Sequence, residues 1–142
     1  MIHRALKLEN ILLKKNENGQ NIWKLVDYGV SKKLLTLSAQ YYTARVGTIS
    51  YMAPEVLSEE KYNNKCDLWS LGIIIYILYF QEVPYRGDKS ETILGLINTS
   101  GKTLLKKSGN KNFDNLISRL LEADPNKRIS WEEYFKHPFL NK

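Results

Sequence analysis

The sequence predicts a mainly α-helical domain that carries one short β-hairpin near its start. Three observations point there. Leu71 to Phe80 is an almost unbroken apolar run. It falls well short of the roughly 20 residues needed to cross a bilayer and is apolar on every side, so it reads as a central, buried helix. Phe113, Leu116, Ile117, Leu120 and Leu121 recur at helical spacing. Asn10 to Leu13 and Ile22 to Val26 are short apolar runs joined by the polar, glycine-containing stretch from Lys14 to Asn21, the pattern of a hairpin.

The remaining elements follow in order. Tyr28 to Tyr51 lacks sustained periodicity and is rich in hydroxyls, which predicts a long ordered loop, and loops of that length inside compact domains are usually functional. Ala53 to Leu57 reads as a short helix, because Pro54 suits a first helical turn. The central helix is expected from Cys66 to Phe80 and is broken by Val83-Pro84-Tyr85-Arg86-Gly87. A second helix is expected from Ser90 to Asn98. A third runs from Asn112 to Ala123, stopped by Asp124-Pro125. Ser130 followed by Glu133 is a capping-box signature for a last helix through Phe135. His137-Pro138-Phe139 closes a single domain, residues 1–142.

Composition narrows the function classes. The chain has 142 residues, 43% hydrophobic and 25% charged, with a formal net charge of +6. No basic run with interleaved aromatics accompanies that excess, so no nucleic-acid partner is expected; a lysine-rich surface with affinity for acidic partners is. Cys66 is the single cysteine, which leaves no disulfide framework and no multi-cysteine zinc site. A reducing, cytoplasmic setting is expected. Met1-Ile2-His3-Arg4 offers no apolar stretch, so neither a signal peptide nor a membrane partner is expected.

Three constellations carry the chemistry. His3-Arg4-Ala5-Leu6-Lys7-Leu8-Glu9-Asn10 comes first, Asp27-Tyr28-Gly29 second and Ala53-Pro54-Glu55 third. Each triplet alone is weak, but their order and separation, with a hairpin between the first two, resemble the catalytic loop, metal-binding motif and activation-segment end of protein kinases. Cys66-Asp67-Leu68-Trp69-Ser70-Leu71-Gly72 resembles the start of that family's central helix. Asp124-Pro125-Asn126-Lys127-Arg128 and His137-Pro138-Phe139 resemble its closing segments. The likeness covers essentially the whole chain and implies a protein-kinase-like C-lobe, with the N-terminal lobe absent. Lys7 and Gly47-Thr48 are similar to serine/threonine rather than tyrosine kinases, in the calcium/calmodulin-kinase-like or ULK-like branches.

The resemblance implies a division of labour. Phosphoryl transfer requires metal ions to neutralise the triphosphate, a cation at the migrating phosphoryl group and a carboxylate to orient the attacking hydroxyl. ATP and magnesium are the family's cofactors. Asp27 would be the main magnesium ligand and Asn10 a second, neutral one, both hard oxygen donors. Lys7 would approach the γ-phosphate, and Leu12 matches the apolar floor beneath an adenine, unless it simply packs in the core.

The carboxylate is missing. Ala5 stands where the family carries its catalytic Asp, and a methyl group can neither accept a proton nor orient a hydroxyl. Loss of a general base typically costs on the order of 10²- to 10⁴-fold in rate. Leu8 replaces a proline of the same loop. Glu9 is close by, but the resemblance points it elsewhere. Upstream of residue 1 the family carries a glycine-rich loop, a strand lysine and its partner glutamate, half of the nucleotide site. Without them, tight ATP binding by this chain is not expected, and a separate N-terminal lobe is a candidate partner.

Other matches are structural or regulatory. Glu55 and Arg128 match a buried ion pair, expected within about 4 Å. Asp67 is expected to accept hydrogen bonds from backbone near His3 and Arg4. His3 and Tyr28 match a stacked apolar spine, and Gly29 completes the metal motif. Arg4 matches a sensor for phosphate on the activation loop. Candidates for that phosphate are Thr36, Ser38, Tyr41, Tyr42 and Thr43; the usual position is Ala44, so Thr43 serves or is a plain surface threonine. Thr48 and Tyr51 match the substrate-binding floor. With the preceding helix absent, Leu71 to Phe80 should expose apolar surface.

Three readings stay open: a piece of a serine/threonine kinase acting on a protein substrate, a pseudokinase module that docks a protein partner, and a relic without a selected role. Ala5 favours the latter two. Intact Lys7, Asn10, Asp27, Gly29, Glu55, Asp67 and Arg128 favour recent descent from an active enzyme.

Overall fold

Asn16 organises the first element. Its side-chain oxygen accepts the backbone N–H groups of Asn18 (3.0 Å) and Gln20 (2.8 Å), while its own N–H donates to the Gln20 carbonyl at 2.9 Å. Short Asn side chains bond local backbone in this way and so favour turns. Gly19 supplies the left-handed residue at φ 75°. The turn joins β1 (Ile11–Lys15) to β2 (Asn21–Leu25). The strands pair antiparallel, with Ile11 opposite Leu25, Leu13 opposite Trp23 and Lys15 opposite Asn21. β1 thus reaches past the apolar run, because backbone pairing rather than hydrophobicity sets its length.

The structure, a computed structural model, describes residues 2–3, 6–26 and 49–141. Most of the long loop expected from Tyr28 to Tyr51 lies outside them; the described part is a 3-10 turn, Ile49–Tyr51. Helix α1 (Pro54–Leu57) follows with proline in its first turn.

Helix α2 (Lys65–Phe80) is the centre of the molecule, with Leu68, Trp69, Ile73, Ile74 and Tyr76 all buried. It presses on α4 (Lys111–Leu120). A Cβ built on Gly72 would stand 2.9 Å from Leu120 Cβ and 2.8 Å from Leu121 Cδ2, so the approach requires glycine. Helix α3 (Ser90–Thr99) buries Ile93 and Ile97. Trp69 stacks on Tyr85 with ring centroids 5.8 Å apart. Each large side chain fully buried here stabilises the fold by about 1.5–3 kcal/mol before entropy is counted.

Helix α4 begins at Asn110, whose side chain accepts the N–H groups of Asn112 and Phe113. It ends at Leu120, short of the expected Ala123. The Arg119 carbonyl, which a helix reaching Ala123 would offer to the Ala123 N–H, instead accepts the Ile129 N–H at 3.3 Å, and the Arg128 guanidinium then binds the Glu122 and Ala123 carbonyls at 2.8 and 3.2 Å. Helix α5 (Trp131–Phe135) carries the expected capping box, Ser130 and Glu133 each closing on the other's backbone N–H. The described residues thus form five α-helices and one two-stranded antiparallel sheet. None of their helices is long and apolar enough to cross a membrane.

The apolar surface expected on the central helix lies at its end. Leu78 is 59% exposed and Tyr79 52%, while most of the helix is covered by α4, by the Ile49–Tyr51 turn and by Tyr85.

Candidate functional site

The site sits where the first residues of the chain meet the hairpin and the start of α2. The His3 backbone N–H donates to Asp67 Oδ2 at 2.8 Å, across 64 positions of sequence. Asp67 is buried in the first turn of α2, so the central helix holds the loop by a charge-assisted bond. Lys7 then leads into a 3-10 turn, Leu8–Asn10. Asn10 is buried; its N–H donates to Lys7 O at 3.0 Å and its carbonyl accepts Val26 N–H at 2.8 Å. The hairpin therefore returns the residue preceding Asp27 to the side of Asn10.

Leu12 is 51% exposed on β1 and faces Lys24 across the strands. Core packing does not account for it. Arg4, Ala5, Asp27, Tyr28, Gly29, Thr36, Ser38, Tyr41, Tyr42, Thr43 and Thr48 lie outside the described residues.

Tyr51 links the turn before α1 to both sides of the site. Its carbonyl accepts the Ser70 hydroxyl of α2 at 2.7 Å. Burial, with the Glu9 carboxylate beside it, pushes its phenol above the usual range. Glu9 thus stands next to the Tyr51 hydroxyl.

Glu55 and Arg128 lie behind this region. Arg128 Nη1 meets Glu55 Oε1 at 2.7 Å and Nη2 meets Oε2 at 2.8 Å, a two-pronged pair with both side chains buried. The remaining N–H groups reach the carbonyls of Lys65 (3.0 Å), Glu122 and Ala123. The guanidinium also lies 5.2 Å from the centre of the Trp69 ring, within cation–π range. Lys65 Nζ in turn donates to Pro125 O (3.0 Å) and Arg128 O (2.8 Å). One knot therefore ties α1, α2 and the segment after α4.

Sequence reasoning missed Ser70 and Lys65. The signal for Ser70 was a lone hydroxyl in an apolar helix; Lys65 gave none, since its acceptors are backbone carbonyls.

A family model, the protein kinase domain, matches residues 1–140. The chain belongs to the protein kinase domain family. Its kinase relatives carry serine/threonine names. It is 36% identical over 143 residues to the serine/threonine-protein kinase atg1 of Dictyostelium discoideum, covering 99% of this chain and 20% of that protein. It is 39% identical over 141 residues to the putative serine/threonine-protein kinase YPL150W of Saccharomyces cerevisiae, with 98% and 15% covered. It is 33% identical over 145 residues to human serine/threonine-protein kinase DCLK3, with 99% and 22% covered. The chain thus spans about a fifth of the length of these kinases. The serine/threonine assignment read from Lys7 and Gly47-Thr48 agrees with these relatives, atg1 standing for the ULK-like side.

Among the described residues no group of three or more His, Cys, Asp and Glu could hold a metal. Of the two candidate ligands read from the sequence, Asn10 lies within the described residues; it is buried, and its backbone carbonyl accepts the Val26 N–H.

Proposed function

We propose that this chain is the helical, substrate-side lobe of a serine/threonine protein kinase domain whose catalytic loop has lost its general base. One observation carries the reading: Ala5 occupies the base position in a loop whose other polar members, Arg4, Lys7 and Asn10, are in place. In this reading Asn10 and Asp27 would hold magnesium, which neutralises triphosphate charge when bound, and Lys7 would meet the γ-phosphate. Leu12, exposed on β1, is the apolar surface on which an adenine would rest. Thr48 and Tyr51 would line the floor for the substrate peptide, Arg4 would take up a phosphate on the activation loop, and Thr43 is the candidate to carry it. By the family resemblance Tyr28 would join His3 in the apolar spine, and Gly29 would complete the metal motif. Glu9 is the neighbouring carboxylate, and the family resemblance points it away from the position of the base.

Phosphoryl transfer to protein serine or threonine is the family activity, and Ala5 removes the group that orients the acceptor hydroxyl. The test is thermal stabilisation by Mg-ATP followed by transfer of labelled phosphate to serine/threonine peptides, with the N-terminal lobe of a homologous kinase fused to residue 1. No transfer above background is expected; robust transfer to peptide contradicts the reading.

A second reading, a module that docks a protein partner, is favoured by exposed Leu78 and Tyr79 at the end of α2. It coexists with the first, since a lobe without a base retains its surfaces.

A further inference from the structure

One dipeptide in the chain is chemically unlike the rest. Asn18-Gly19 is the sole place where glycine follows an asparagine; every other asparagine precedes a residue with a side chain. A side chain there crowds the backbone nitrogen, whereas glycine leaves it open to the asparagine amide. Asn18 is exposed at the tip of the hairpin, and a Cβ built on Gly19 would meet nothing within 4 Å. Loop tips of this kind are where chains are most readily altered.

The turn decides whether that nitrogen can react. Gly19 N–H donates to Asn16 O at 3.0 Å and Asn16 N–H to Gln20 O at 2.9 Å, with Gly19 left-handed at φ 75°. These bonds define a three-residue loop, Glu17 to Gly19, closed by a bulge glycine. The Asn16 side chain reinforces it, accepting the Asn18 and Gln20 N–H groups and donating to Gln20 Oε1 at 3.1 Å. In the closed turn the Gly19 nitrogen is therefore occupied, and a local opening releases it.

We propose that Asn18 is a deamidation site and that Asn16 sets its rate by holding the Gly19 N–H. When the turn opens, the Gly19 nitrogen gives its proton to hydroxide and attacks Asn18 Cγ. The new C–N bond closes a succinimide, the bond from Cγ to Nδ2 breaks, and ammonia leaves with a proton from water. A water molecule then opens the ring. Cleavage on the Cγ side gives aspartate, and cleavage on the backbone carbonyl side gives isoaspartate. Isoaspartate lengthens the main chain by one carbon inside a three-residue loop, which cannot then keep both Asn16 bonds in register. This turn closes the hairpin that sets Val26 N–H on Asn10 O, so the change is felt beside the catalytic loop.

The test follows the full chain at neutral pH by peptide mapping and mass spectrometry, with isoaspartate counted by enzymatic methylation. The natural chain is compared with Asn16→Ala, Asn16→Asp and Asn18→Ser, each checked for fold by circular dichroism, and with the same chains unfolded in guanidinium chloride. We expect conversion first at Asn18, about three- to tenfold more slowly in the folded natural chain than in the unfolded one. Asn16→Ala should close most of that gap. Asn16→Asp, which still accepts both N–H groups, should keep it, and Asn18→Ser should abolish the signal. Independently of any variant, the slowing should match the protection of the Gly19 amide against hydrogen exchange, since both need the same bond to open. Conversion first at another asparagine overturns the site. An Asn18 that stays intact in the folded chain while the unfolded chain converts fully overturns it too. Equal rates in the folded and unfolded natural chains, or slowing unrelated to Gly19 exchange, overturn the role given to Asn16.

Discussion

Arg128 and Glu55 meet fork to fork where water does not reach, 73 positions apart in sequence and at 2.7 and 2.8 Å. Every N–H of the guanidinium has an acceptor, so the pair satisfies the requirement for keeping charge inside a protein. Removing either member leaves the other charge buried without its counter-ion. Arg128→Ala and Glu55→Ala are each expected to lose about 3–5 kcal/mol in urea denaturation. Arg128→Lys should recover little, because an ammonium cannot make the two-pronged contact or reach the Glu122 and Ala123 carbonyls together. A loss below about 1 kcal/mol for Arg128→Ala contradicts the knot described here.

Acid should unpick the last helix. Hydrogen bonds from the Ser130 backbone and hydroxyl, then Arg119, lower the Glu133 carboxyl from 4.5 to about 2. A depressed carboxylate contributes stability that is complete above its unfolded value and is lost as pH falls from about 4.5 towards about 2. Glu133→Gln should flatten that part of the stability–pH curve while leaving the rest unchanged. An identical acid limb in both proteins contradicts the assignment.

His137 titrates nearer neutrality. Phe139 N–H donates to Nδ1 at 3.2 Å, so Nε2 carries the proton towards Asn115 Oδ1 at 3.0 Å. Burial, then the nearby Arg119, lowers its pKa below 6.5. The unfolded chain therefore binds the proton first, and stability falls as pH drops below 6.5 towards the folded value. Proton NMR of the ring should give a midpoint below 6.5; a midpoint above it contradicts the neutral tautomer.

Two glycines in helices should respond with opposite signs. A methyl group placed on Gly95 would meet nothing within 4 Å, so Gly95→Ala should gain up to about 1 kcal/mol of helix propensity. Gly72→Ala would bring a methyl to 2.9 Å from Leu120 Cβ, which is fixed to the α4 backbone and cannot swing aside. Overpacking of about 1–3 kcal/mol should outweigh the same propensity gain. Paired thermal melts decide this; stabilisation by both substitutions contradicts the close α2–α4 approach.

What could be read from the sequence was what neighbours in sequence decide. The hairpin, the all-apolar stretch of α2 and the Ser130–Glu133 cap follow from local pattern, and the structure carries all three. The end of α4 was not legible, because Ile129, beyond the helix, takes the Arg119 carbonyl that would have accepted the Ala123 N–H. Lys14 and Lys15 read as turn residues but pair as strand, since pairing with Ile22 and Asn21 is a matter of register. In the site, the bond between His3 and Asp67 and the pair of Glu55 with Arg128 were expected and are present. The roles of Ser70 and Lys65 were not legible, because both act on backbone carbonyls brought from elsewhere in the chain.

In the proposed reading, the change that disables this chain's catalytic loop is the loss of the base at position 5, Leu8 for proline being the milder departure. The decisive measurement is the single-turnover rate of phosphate transfer from Mg-ATP to a serine/threonine peptide, in the fusion with a homologous N-terminal lobe, for the natural sequence and for Ala5→Asp. Restoring the carboxylate should raise the rate at least about 100-fold. Equal rates in the two proteins, both well above background, would contradict the loss of the base as the cause of inactivity.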